Sequence, residues 1–377
     1  MKHKNSRIAF WEAVATLVGG TIGAGILAIP YAISHTGLIV GIAVLFLVAF
    51  YTTLKKLMMA EIILRTKESH QIPGYIGAYL GKKWKIFSGI LFIFAAYGAL
   101  LAYIVGQGDV LSALLGVSPY SASMGFFVIS SLLVYLGIST IKRFEVLLTT
   151  CMVLVVTSIC LFSFHYISLE HFVFAKPSEW IIPYGVLLFA LSGVAAVPLM
   201  RKELEGHERL FKNAILTGSV IILVIYLLFM TIALGVTGLD TTKIATIGLG
   251  HKIGPIMVIL GNVLAFFTMG TCFLTLSLAL QNMFTFDFGL SHFKAWMITI
   301  FVPLAIFLLG LRDFIVIISV VGGIFLSLQS ILVVFTFWAS MRKGERAPEF
   351  HLGTLPILGT SLIVISVIGI MVMLLNF

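Results

Sequence analysis

The chain has 377 residues, of which 60% are apolar and 10% charged, with a net charge of +9 and a mean hydropathy of +1.13. A soluble domain carries about 25% charged residues. This chain has too few polar residues to clothe the outside of a soluble fold, which excludes that class and leaves a polytopic membrane protein.

Spanning helices need about 20 largely apolar residues. The run 13–54 contains no Asp, Glu, Lys or Arg and holds two spans, with a break at His35-Thr36-Gly37. Further spans are predicted over 86–109, 121–141, 145–166, 180–200, 212–237, 254–284, 294–311, 313–340 and 354–376, giving eleven helices. Nothing alternates with the period of a membrane β-strand. The inside segment 66–85, with Gly74, Tyr75, Gly77 and Tyr79, predicts a short surface helix, and 201–212 a solvated connector. Met1–Arg7 with the apolar run behind it imitates a signal peptide, but the run is too long and lacks a cleavage site, so it reads as a retained first helix.

Lysine and arginine set the orientation. With the N-terminus in the cytoplasm, inside loops receive twenty of the 24 Lys and Arg, Lys55 and Lys56 among them, and only Lys176, Lys243, Lys252 and Arg312 fall outside. The positive charge thus reads as topology, and a nucleic-acid partner is excluded. The C-terminus is then outside, and the protein belongs in the cell (inner or plasma) membrane. Cys151, Cys160 and Cys272 lie inside apolar stretches, with neither a disulfide framework nor metal spacing.

Two spans are interrupted at membrane depth. The first reads Gly19-Gly20-Thr21-Ile22-Gly23-Ala24-Gly25, with Pro30 beyond; the second reads Ser192-Gly193-Val194-Ala195-Ala196-Val197-Pro198. Each glycine weakens a helix by about 1 kcal/mol and proline by about 3. Unwound backbone survives at that depth only where protein buries it or a cavity meets it. The breaks fall in helices 1 and 6, five spans apart, so inverted halves bring them face to face, a pattern that marks a transporter site. The outer half of helix 1 should begin near Gly25 or Ile26, its free N–H groups suiting a carboxylate. Carbonyls near Gly19 to Ile22 suit a cation or ammonium group. An α-amino acid is the simplest solute with both. The glycine pair Gly37 and Gly41 reads as helix packing. The dinucleotide-like Gly23-Ala24-Gly25 is rejected, since no strand precedes it.

The run from Gly20 to Pro30 (GTIGAGILAIP) resembles the helix 1 signature of amino acid permeases of the amino acid–polyamine–organocation superfamily. Within it the chain is similar to the aromatic and hydroxy amino acid permeases, the bacterial tyrosine and tryptophan carriers, and to the amino acid/auxin permeases. Glu61 at the end of helix 2, Gly106-Gln107-Gly108-Asp109, the break at 192–198 and Gly270-Thr271-Cys272-Phe273-Leu274 support the likeness. The resemblance implies an all-α LeuT-type fold of five plus five inverted helices and one extra, and secondary active transport by rocking of helices 1, 2, 6 and 7 against 3, 4, 8 and 9. The repeats are placed at 8–168 and 178–341, with helix 11 at 354–376, in a single domain over 1–377. The chain departs from the pattern in two places. Helix 5 (146–166) has no lysine where some proton-coupled relatives carry one, and has Thr149 and Thr150 in its inner half. Helix 8 reads Thr271-Cys272 where some sodium-coupled relatives have adjacent hydroxyls. The coupling ion is therefore H+ or Na+; no cofactor is expected, and no metal beyond that Na+.

Candidate substrate-binding residues are Thr21, Ile22, Gly23, Ala24, Gly25, Phe189, Ser192, Gly193, Ala195, Tyr97 and Tyr103, with Phe266 and Phe267 as further aromatics. Gly19, Ile22, Thr271 and Thr275 are candidates for the coupling ion. Thr268, Thr271, Thr275 and Asn282 share one helix face, which serves either a cation or bonds between helices. Glu12, Glu61 and Asp109 sit near helix ends as gate or proton candidates, and almost no ionisable residue is expected deeper. His35 and His165 read as structural. No membrane-enzyme motif or channel filter is present. The function these features predict is import of neutral amino acids, with aromatic or hydrophobic ones as candidates among them, by cation-coupled symport, as a monomer in the lipid bilayer. The alternatives are a uniporter or exchanger of amino acids or related amines, and a non-transporting amino acid sensor.

Overall fold

A computed structural model describes residues 5–34, 36–136, 138–172 and 182–376. His35, Lys2, Lys4 and Lys176 lie outside the described residues, as do the side chains of Lys142 and Arg143. The described residues form helices and no strands. The first span is two helices, α1 (Ser6–Thr21) and α2 (Gly25–Ser34), meeting at a bend of 51°. Gly37, at φ 85, opens α3 (Leu38–Arg65), and a short α4 (Ile72–Leu80) follows. The 34-residue α5 (Lys82–Leu115) ends on Gly116, whose left-handed φ of 67 lets its N–H return to the Ser112 carbonyl. Then come α6 (Pro119–Leu136) and α7 (Ile138–Ser163).

The sixth span is again broken, into α8 (Ile182–Leu191) and α9 (Val197–Glu203). After it run α10 (Phe211–Thr237), the short α11 (Ala245–Ile253) and α12 (Pro255–Asn282). Next are α13 (His292–Leu308), α14 (Phe314–Val320), α15 (Ser327–Lys343) and α16 (Pro356–Asn376). Nine described helices or helix runs are long and apolar enough to cross a membrane, and the bent pair makes a tenth. The expected count of eleven requires α13, with its 17 residues, to be the remaining span.

Small residues bring the backbones together. A Cβ on Gly322 would lie 2.8 Å from the Gly185 carbonyl carbon and 2.9 Å from the Phe189 nitrogen. This contact falls in a π-helical stretch, Val321–Leu326, that joins α14 to α15. One set of packed neighbours comprises α1, α2, α3, α8, α9 and α10; a second comprises α5, α6, α12 and α13.

Three expectations need correction. First, Lys55 and Lys56 are not loop residues. The helix α3 continues to Arg65, and both lysines are buried. Their charge does not end the span: inside the bundle Lys55 Nζ donates to the Ser330 hydroxyl at 3.1 Å and Lys56 Nζ to the Leu191 carbonyl at 2.9 Å. Second, Glu203 is no solvated connector residue: it is buried and accepts the Thr16 hydroxyl at 2.9 Å, tying α9 to α1. Third, the short helix expected within 66–85 is present as α4, but it does not lie apart on the surface: it buries Ile72, Tyr75, Ile76 and Tyr79 and packs on α5 and α15. Its amide Gly74 donates to the Asp287 carboxylate at 3.1 Å. Burial lifts the Tyr75 and Tyr79 hydroxyls above the ordinary tyrosine range, outweighing their polar neighbours Arg201 and Thr66.

Candidate substrate site at the paired helix breaks

The glycine cluster unwinds helix 1 at Ile22–Ala24, between the last residue of α1 and the first of α2. Thr21 turns its hydroxyl back onto the Leu17 carbonyl at 2.6 Å. Ile26 and Leu27 donate to the Gly23 and Ala24 carbonyls. The Ala24 and Gly25 amides have no acceptor among the described residues, so the start of α2 keeps free donors. In helix 6, Ser192 and Gly193 are non-helical, and a 3-10 turn over Val194–Ala196 leads into α9. Pro198 does not cause that break; it sits in the first turn of α9, where its missing N–H costs nothing. Gly193 has a φ of 48, and a Cβ there would strike the Thr21 hydroxyl, so a glycine is required on both counts.

The two breaks meet at a cavity. Of the candidate substrate residues, Thr21, Tyr103, Phe189, Ser192, Gly193 and Ala195 line it. Ile22, Gly23, Ala24 and Gly25 form the turn behind this surface and do not line it. Tyr97 does not line it either: its hydroxyl donates to the Ile298 carbonyl at 3.0 Å, tying α5 to α13. Phe266 is exposed and neither it nor Phe267 reaches the cavity. The rings of Tyr103 and Phe189 lie 6.3 Å apart and form an aromatic wall. The wall continues over Phe92, Ala95, Ala96 and Ala99 of α5, and over Val321, Leu326 and Gln329 of helix 10. Among the described residues, no Asp, Glu, Lys, Arg or His lines it.

The candidates for a cation come together beside this cavity. The Gly19 carbonyl accepts from Thr271 Oγ1 at 3.4 Å and from Cys272 Sγ at 3.2 Å. Thr271 also bonds the Phe267 and Thr268 carbonyls of its own helix. Thr275 lies one turn on, in the cavity wall, against Gly20. The Thr149 hydroxyl is buried and has no partner among the described residues; a Cβ at Gly19 would stand 2.7 Å from it. Ile22 is fully buried at the turn.

Two residues that sequence reasoning missed organise the breaks. Tyr226 of α10 is fully buried, and its hydroxyl lies 2.9 Å from the Ala190 carbonyl and 3.2 Å from that of Thr21. Lys56 Nζ donates to the Leu191 carbonyl at 2.9 Å. The long partner separations leave no trace in local sequence patterns; a lysine pair inside an apolar run was the one available signal.

The carboxylates divide. Glu61 is fully buried, takes Arg65 at 2.7 Å and accepts the Leu352 N–H at 2.8 Å, so it fastens α3 to the segment before α16. Glu12 and Asp109 are half-buried on α1 and α5. At the opposite end from Glu61, Asp313 caps α14 and pairs with Lys243 at 2.9 Å. Partial burial pushes the Asp313 carboxyl up, but Lys243 and the Val316 N–H outweigh it and hold it below the usual carboxylate range. Both partners are exposed, so the pair contributes little. Replacing Glu61 by glutamine is expected to lower the melting temperature, because Arg65 loses its buried partner. Uptake per folded molecule should keep its pH dependence in this variant, and in Glu12→Gln and Asp109→Asn. Total loss of pH-driven uptake in any of the three, at wild-type folding, would assign that carboxylate to proton coupling.

The tryptophan/tyrosine permease family matches residues 6–376. The chain belongs to this family. It is 24% identical over 352 residues to glutamine transporter 2 of Aliivibrio fischeri, covering 89% of each chain. It is 24% identical to tyrosine-specific transport system 1 of Haemophilus influenzae, covering 94% of each. To the tryptophan-specific transport protein of the same organism it is 25% identical over 82% of each. Among solved structures, MhsT in complex with L-phenylalanine superposes with a TM-score of 0.70 at 15% identity, covering 98% of both chains. The fold of this permease is therefore the LeuT type. Family and relatives are membrane transport proteins, not enzymes.

Proposed function

We propose that this permease imports a neutral amino acid with an aromatic or hydrophobic side chain, by cation-coupled symport. The carrying observation is the cavity where the two breaks meet, with unwound polar backbone at one side and an uncharged wall bearing Tyr103 and Phe189 at the other. The free amides at the start of α2 suit the substrate carboxylate. Their position behind Thr21 asks for a small opening of the turn as the substrate seats. A charged side chain would meet no counter-ion in the lining, which favours neutral substrates. The names of the tyrosine, tryptophan and glutamine transporters support an amino acid as the solute.

The Gly19 carbonyl, Thr271 and Thr275 are our candidates for the coupling ion, which is H+ or Na+. In this reading α1, α2, α3, α8, α9 and α10 rock against α5, α6, α12 and α13, and the division of the packing into these two sets supports it. The inverted halves then run over 8–168 and 178–341, with 354–376 as the extra helix, in a monomer of the inner membrane with its N-terminus in the cytoplasm. Reconstituted protein, given labelled amino acids under a proton gradient, a sodium gradient or neither, tests this reading. Saturable, gradient-driven uptake of one neutral class is the expected result. Uptake that ignores both gradients would replace symport by exchange or uniport. Binding without any uptake would leave a sensor.

A further inference from the structure

We propose that Lys56 is a positioning residue of the transport cycle: its ammonium holds the end of the first half of helix 6, and so sets the shape of the break that receives the substrate. Lys56 is 1% exposed, and its Nζ lies 2.9 Å from the Leu191 carbonyl. Leu191 is the last residue of α8, where helix carbonyls are left without intrahelical partners and the dipole is negative. The next two residues, Ser192 and Gly193, line the cavity. The adjacent carbonyl, Ala190, is taken by Tyr226. Both terminal carbonyls of α8 are thus bound by side chains of neighbouring helices, one of them by a charge.

That charge has no counter-ion among the described residues. Its neighbour Lys55 donates to Ser330 of α15 instead. Glu61 and Arg65 pair with each other. Glu203 holds Thr16, and Tyr184 of α8 bonds Ser327. A buried ammonium without a carboxylate bears a desolvation cost that one hydrogen bond to a carbonyl offsets only in part, so methionine in its place, which removes that cost and frees one carbonyl, is close to neutral for the fold. A lysine kept there for shape alone would therefore be dispensable for uptake. One kept for transport would not, because helix 6 must change shape as the cavity opens to each side, and this is the strong, releasable contact at its broken end.

The inference rests on the transport reading above, and its test carries a readout free of substrate. Lys56→Met, Lys56→Arg and Lys55→Met are compared in three measurements: amino acid uptake, melting temperature, and amide hydrogen exchange of the segment 190–197 without substrate. Lys56→Met should melt near the wild-type temperature, because the desolvation relieved and the hydrogen bond lost offset each other. It should also exchange faster across Ser192–Ala196 and lose uptake by about tenfold or more, the worth of one charge-assisted hydrogen bond. Lys56→Arg, which keeps a donor, should recover most of the uptake and protection. Lys55→Met should leave the exchange of the break unchanged. Wild-type uptake and exchange in Lys56→Met would overturn the proposal. So would a melting temperature that falls in step with uptake, since the lysine would then serve the fold alone. Should the wild type take up no amino acid while Lys56→Met still loosens the break, the substrate reading fails and the clamp stands.

Discussion

Replacing Gly23 by valine is expected to abolish uptake, by about a hundredfold or more, in protein that still inserts. Gly23 stands in the unwound turn of helix 1. A Cβ there would lie 2.8 Å from Cys272 Sγ and 3.1 Å from Tyr103 Oη. Both neighbours belong to the cavity wall, from α12 and α5. The added carbons therefore press on two walls at once, and at Cys272 they also disturb the contact to the Gly19 carbonyl. Overpacking of this kind costs about 1–3 kcal/mol. That is within what a folded domain can lose, yet enough to hold the turn away from Tyr103. Alanine, with the same Cβ and nothing beyond it, should fall between glycine and valine. Uptake in liposomes, with a melting curve on the same preparation, checks this. Normal transport by Gly23→Val at a wild-type melting temperature would remove the turn from the site.

Tyr226→Phe is the second change expected to have a large effect. The tyrosine offers one proton to two carbonyls, Ala190 before the helix 6 break and Thr21 before the helix 1 break. Phenylalanine fills the same volume, so no cavity results, but two buried carbonyls lose their shared donor. Leaving such a group unsatisfied costs about 1–3 kcal/mol, or roughly five- to 150-fold in the population of the closed arrangement. Substrate affinity should fall by about tenfold or more, with less effect on the turnover of bound substrate. A variant with wild-type KM would show that the breaks keep their registry without α10.

The helix 1 break was legible because four glycines in seven residues cannot sustain a helix by their own propensity, and the start of the outer half at Gly25 came with it. The helix 6 break was found for a partly different reason. Ser192 and Gly193 do break the helix, whereas Pro198 belongs to the next one. The residues that moved most were those read by charge. Lys55, Lys56 and Glu203 were placed toward water because an isolated charge belongs there, and the groups that receive them are distant in the chain. Tyr97 and Tyr103, six residues apart on one helix, were indistinguishable in the sequence. One bonds α13 and the other faces the cavity, a difference made by the neighbouring helices alone. The π-helical stretch of helix 10 was likewise invisible, although the Gly322-Gly323 pair within it marks the close approach to α8.

The buried lysine pair also constrains biogenesis. When the second hydrophobic segment leaves the ribosome, the chain that will receive its charges does not yet exist: Leu191 follows Lys56 by 135 residues, and Ser330 follows Lys55 by 275. An ammonium at the centre of a spanning helix costs about 2.5–3.5 kcal/mol during insertion, and a lysine nearer one end escapes by extending to the interface. The nascent segment must therefore first settle with both lysines reaching for the nearer headgroups. It can sink to its final depth only when helices 6 and 10 arrive to take them. Folding of the first half is thus held open by the second, and a truncated chain ending before helix 6 should keep these two lysines within reach of water-soluble amine reagents that the full-length protein excludes.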